Sequence, residues 1–243
     1  MDMGANPLLF LPSVVLRPAS NLVVQVRILG IELVIVALLV VAWYLAFVQL
    51  NRRRATRVIR WIERTFAGHA AVVGNQWLAS SRFRVRLRMP TGVFRDPSVL
   101  VQMCPRELPA RWMMWRFRKR PETLTFEADL DYAPSFSLEV HNHRWFGRTR
   151  RRFPSHQQNW TTESIGPVVL TTRNDWQREI TTMMNTLVAS HDCDCLAVSI
   201  RRSSPHFSAT VPLEAISPGS QAQGELFDIF RELAQGASST PRF

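Results

Sequence analysis

The sequence predicts an α+β protein: a single N-terminal transmembrane helix followed by a cytoplasmic domain with a mainly antiparallel sheet and packed helices. Three observations predict it. Residues 28–50 form an apolar run interrupted only by Glu32 and Gln49 and closed by Arg52, Arg53 and Arg54. Residues 82–89 and 123–132 alternate strictly between apolar and polar, the period of a half-buried strand. Strand-like and helix-like segments then follow in groups, with no internal repeat and no βαβ rhythm, which favours α+β over a parallel α/β sheet.

A helix over 28–50, rising ~1.5 Å per residue, is long enough to cross a hydrocarbon core of about 30 Å. Everything after it is too polar to span. The C-terminal flank carries Arg52, Arg53, Arg54, Arg57, Arg60 and Arg64, the N-terminal flank only Arg17 and Arg27. Positive charge stays on the cytoplasmic side, so the folded domain is expected to be cytoplasmic and the protein a single-pass component of a cell membrane. A basic start, a short apolar centre and a small-residue exit would mark a cleaved signal; their lack implies a retained anchor. The apolar patch at 8–16 is broken by Pro12 and is too short to cross. The expected divisions are an extracytoplasmic tail over 1–27, the span over 28–50, a basic juxtamembrane helix over 51–72, the α+β domain over 73–236 and a flexible tail over 237–243.

The formal charge of +11 is carried almost wholly by arginine, Lys119 being the only lysine. Beside a bilayer such a domain has a natural partner in anionic lipid, at about 1 kcal/mol per basic residue near the surface. Nucleic acid is the less favoured competitor. Cys104, Cys193 and Cys195 have no disulfide-framework spacing and suit a reducing compartment.

Element by element, Val58, Ile59, Trp61, Ile62 and Phe66 recur at helical spacing among Arg57, Arg60 and Arg64, and Gly68 ends the pattern. This juxtamembrane helix either packs on the domain or lies on headgroups. The strand over 82–89 sets Phe83, Val85, Leu87 and Met89 against Arg82, Arg84, Arg86 and Arg88. Residues 105–121 suggest a short basic, aromatic helix. Strands over 123–132 and 136–144 are expected to form a hairpin through Ala133, Pro134 and Ser135, pairing Leu130 with Leu138 and Ala128 with Val140. A helix over 174–190, strands over 195–202 and 207–213, and a helix over 221–234 complete the domain, with fraying beyond Gly236.

Candidate lipid- or partner-binding residues are Arg57, Arg60 and Arg64, then Trp112, Trp115, Arg116 and Arg118, then Arg150, Arg151 and Arg152, because Trp and Arg are enriched at membrane interfaces and at interface hot spots. The arginine stripe on 82–88 could track phosphates, but Glu127, Asp129, Asp131 and Glu139 are expected on the same face as partners for it. His141 and His143, two apart on one strand face, offer a pair of metal ligands. His191, Cys193 and Cys195 form a second soft-ligand cluster without the spacing of a structural zinc site. No phosphate loop, nucleophile elbow or embedded carboxylate pair is present, and no cofactor is implied. The sequence therefore favours a membrane-tethered binding or assembly module, not an enzyme, that contacts an anionic lipid surface or a membrane-associated protein. The alternatives are a metal-dependent enzyme using His141 and His143, and a tethered nucleic-acid-binding domain.

Overall fold

The structure, a computed structural model, describes residues 19–90, 92–142, 160–165, 168–173, 186, 195–216 and 222–239. It divides into two units, Met1–Leu45 and Ala46–Phe243. Helix α1 (Ala19–Thr65) supplies the described part of the first unit and the opening turns of the second. In the first unit its side chains from Leu29 to Leu45 lie open, with Leu33 71% and Leu39 64% exposed. Among the described residues it is the one helix long and apolar enough to cross a membrane.

The second unit is built on an antiparallel sheet. Its strands are β1 (Ala71–Ala79), β2 (Arg82–Arg88), β3 (Phe94–Gln102), β4 (Thr123–Leu130), β5 (Leu138–Asn142), β6 (Trp160–Ile165), β7 (Val168–Arg173), β8 (Ala197–Ile200) and β9 (Phe207–Pro212). Among the described residues they form one nine-stranded sheet in the order β1-β2-β3-β4-β9-β8-β5-β7-β6. Strict alternation sets one face inward: Val85 pairs with Val99, Val99 with Phe126, Phe126 with Ala209, and Ala209 with Val198. A one-residue slip in any pair would turn that strand's apolar set outward.

Among the described residues two helices enter this core. The last turns of α1 bury Asn51, Ala55 and Ile62, and Phe66 just past its end continues the same stripe. Helix α3 (Ala222–Ser239) buries Leu226, Phe227, Phe230, Leu233, Ala234 and Ala237. Phe126 sits at the centre, with ring centroids 6.0 Å from Phe66, 5.2 Å from Phe94 and 5.6 Å from Phe230. Emptying it as Phe126→Ala would cost about 3–5 kcal/mol.

The segment expected as a separate juxtamembrane helix over 51–72 is the unbroken continuation of α1, and it packs on the sheet. It stops where Gly68 takes φ +90°, a conformation that suits a residue without Cβ, and β1 already begins at Ala71. The expected hairpin between β4 and β5 does not form. Instead β4 pairs with β3 and β9, while β5 pairs with β7 and β8. Leu130 and Leu138 do share the buried face, so the alternation was sound while the pairing partner was not. The C-terminal helix runs to Ser239 with Ala237 buried, three residues past the Gly236 boundary, and the rest of the expected tail lies outside the described residues. The helix expected over 174–190 lies outside the described residues except for Thr186, whose hydroxyl donates to Glu232 on α3 at 3.1 Å.

Candidate anion-binding site

Between β3 and β4 the chain makes an excursion through helix α2 (Pro109–Phe117), which begins with Pro in its first turn. None of its residues is buried. At about 100° per residue, Ala110, Met113, Met114 and Phe117 fall on one side of it, and Trp112 and Trp115 on the other. Met113 is 52%, Met114 54% and Phe117 79% exposed, whereas the two tryptophans are half-buried.

The tryptophan side faces a cavity of about 1100 Å³ whose lining includes Arg54, Cys104, Arg106, Trp112, Trp115, Arg116, Lys119, Arg120 and Glu122. Its cations come from two places far apart in sequence: Arg54 from α1, and the rest from the β3–β4 excursion. Glu122 organises them. Its Oε1 accepts from the Cys104 backbone N–H at 3.1 Å and from Arg106 Nη2 at 3.1 Å, with Arg54 Nη1 at 3.7 Å. One carboxylate shared by two guanidiniums leaves an excess of positive charge, to which the exposed Arg116, Lys119 and Arg120 add. Exposed Glu214 at the rim offsets part of it. Burial pushes the Cys104 thiol above its ordinary range, against the opposing effect of the nearby Arg106.

A second contact, centred on the buried Asn51 and Glu107, fixes where Arg54 stands. Glu107, buried, accepts from Ser80 Oγ at 2.6 Å and from Asn51 Nδ2 at 3.2 Å. Asn51 lies one turn before Arg54 and Ala55 on α1, so this bond sets the rotation of that turn against the loop leading into α2.

Of the sequence candidates, Trp112, Trp115 and Arg116 come together in this cavity. Arg118 caps α2, its backbone N–H bonded to the Met114 carbonyl at 3.1 Å. Arg57, Arg60 and Arg64 lie exposed on α1, opposite its packed stripe. Arg150, Arg151 and Arg152 lie outside the described residues, as do His143, His191 and Cys193. His141 is buried on the outer sheet face, its Nε2 3.8 Å from Glu139, which also accepts from Arg201 Nη2 at 2.6 Å. His141 and Arg201 hold the Glu139 carboxyl below the usual carboxylate range against the opposing effect of burial. Among the described residues no group of three His, Cys, Asp or Glu side chains could hold a metal ion.

The arginine stripe is partly neutralised, as expected. Arg84 reaches Glu127 at 3.5 Å across β3, but Asp129 binds Ser204, Asp131 pairs with Arg95, and Glu139 with Arg201. The sequence reading missed Arg54, Arg106, Lys119, Arg120 and Glu122 as members of one site. The available signal was Glu122, the first acidic residue after the basic stretch that ends at Arg120.

No protein-family model matches the chain, and the chain matches no curated protein.

Proposed function

We propose that this chain is a single-pass membrane protein whose folded domain, on the cytoplasmic side, is a binding module for anionic lipid headgroups and not an enzyme. The observation that carries this reading is the cavity itself: five basic side chains and two tryptophans gathered around Glu122. Arg54 follows the apolar run by four residues, a rise of about 6 Å on a helix, so this charge stands at headgroup depth when α1 spans. Arginine forks match phosphate geometry, and tryptophan suits the interfacial layer where one side of the ring is wet. The exposed Arg57, Arg60 and Arg64 add a salt-screened attraction to the same surface.

The test is titration of the detergent-solubilised full chain with short-chain phosphatidylglycerol and phosphatidylcholine, followed by tryptophan fluorescence. The anionic lipid should bind and the zwitterionic one should not. Replacing Arg116, Lys119 and Arg120 with Gln should weaken binding about tenfold or more, given about 1 kcal/mol per basic residue. Equal affinity for both lipids, or an unchanged triple variant, would rule the reading out.

A further inference from the structure

Helix α2 has two sides, and the cavity accounts for only one. The other carries Met113, Met114 and Phe117, with Leu108 just before the helix, at 40–79% exposure. Long apolar side chains at helical spacing are normally turned into a core. Here the tryptophans take the inner side and the methionines and phenylalanine are left outside. They are ringed by Arg111, Arg116, Arg118, Lys119 and Arg120, and residues 108–121 contain no acidic residue. An apolar helix side flanked by cations is complementary to an anionic bilayer interface, where the apolar chains enter the acyl boundary and the cations stay among phosphates.

We infer that α2 is a membrane-inserting helix: its Met113, Met114 and Phe117 side enters the bilayer interface, while its Trp112 and Trp115 side walls the headgroup cavity. The inference rests on the lipid reading above and extends it from headgroup binding to insertion. Two things on this molecule favour a bilayer over a protein as the occupant. Arg54, within about 6 Å of the end of the apolar run along α1, lines the same cavity as α2, so α2 belongs to the part of the domain that adjoins the segment leaving that run. None of the residues of α2 is buried, so insertion would take no side chain out of the core. Methionine and phenylalanine adapt to a fluid acyl boundary without a fixed complementary surface.

The experiment places the photocrosslinking residue p-benzoylphenylalanine at Phe117 in the full chain, reconstituted in nanodiscs of phosphatidylcholine with phosphatidylglycerol. The control position is Tyr132, 70% exposed but beyond the opposite end of β4. Position 117 should form adducts with lipid acyl chains in about tenfold excess over position 132, the order that burying one Phe side chain gives. The adducts should fall in pure phosphatidylcholine discs. Equal labelling at 117 and 132, or protein adducts alone at 117, overturns insertion. The short-chain lipid titration on the same protein separates the two proposals. Binding without acyl adducts sinks insertion and leaves the headgroup reading standing, whereas neither binding nor adducts removes both.

Discussion

Lys119, the only lysine in the chain, occupies a backbone position that favours glycine, with φ +45°. It follows the C-cap of α2, and the local hydrogen bonds explain the twist: its N–H reaches the Arg116 carbonyl at 3.0 Å and the next N–H, of Arg120, reaches Trp115 at 3.3 Å. That paired closure is the Schellman ending, in which a left-handed residue returns the chain and satisfies the last carbonyls. A side chain there costs about 1 kcal/mol relative to glycine. The same side chain lines the cavity, where the proposed headgroup binding would use its charge. Lys119→Gly should therefore raise unfolding stability by about 1 kcal/mol and at the same time weaken the anionic lipid by several-fold. Thermal unfolding and the lipid titration read the two effects separately. A variant that gains stability with unchanged affinity would leave the strain real and the lysine outside the binding reaction.

The elements that bound the cavity are held in register by the buried Asn51–Glu107–Ser80 contact. Removing the amide donor leaves a buried carboxylate short of a partner, so Asn51→Ala should cost about 1–3 kcal/mol. Removing the charge first should shrink that loss: in a Glu107→Gln background Asn51→Ala should be milder, with a coupling of about 0.5–3 kcal/mol from a double-mutant cycle of denaturant unfolding. Equal losses in both backgrounds would mean the bond does not couple α1 to the loop. Long-range pairing of this kind also marks the limit of what the sequence disclosed. β2, β4 and β9 were legible because one face of each is buried and the other solvated, which leaves a period of two in the residues. β1 was not, since an edge strand exposed along nearly its whole length has no face to alternate. β3 was hidden by Asp96 and Pro97, which form an irregularity between Arg95 and Ser98 with Asp96 at φ +44°. β6 and β7 had a turn signal in Gly166 and Pro167 between Thr- and Val-rich runs, and it went unused. The cavity was half visible: adjacency in sequence gave Trp112, Trp115 and Arg116, whereas Arg54 joins Glu122 only through the packing of α1 on the sheet.

At the scale of the whole molecule, the lipid proposals require one orientation, because anionic lipid is concentrated on the cytoplasmic leaflet. The charge asymmetry around the apolar run predicts that orientation: six arginines follow it within about 15–20 residues and only Arg17 and Arg27 precede it. A reporter fused after Phe243 should be active only in its cytoplasmic form. The prediction also has a causal version. Replacing Arg52, Arg53 and Arg54 with Gln while adding basic residues before position 28 should move part of the population to the opposite orientation, read as activity of an extracytoplasmic reporter at the same fusion point. Arg54 lies in the cavity as well as beside the run, so one substitution acts on both topology and binding. Keeping Arg54 and changing only Arg52 and Arg53, both exposed on α1, isolates the topological effect. Molecules that remain cytoplasmic in this second variant should bind anionic lipid as the parent does. An extracytoplasmic reporter signal from the unaltered chain would reverse the orientation and remove the leaflet on which the basic cavity and α2 are proposed to act.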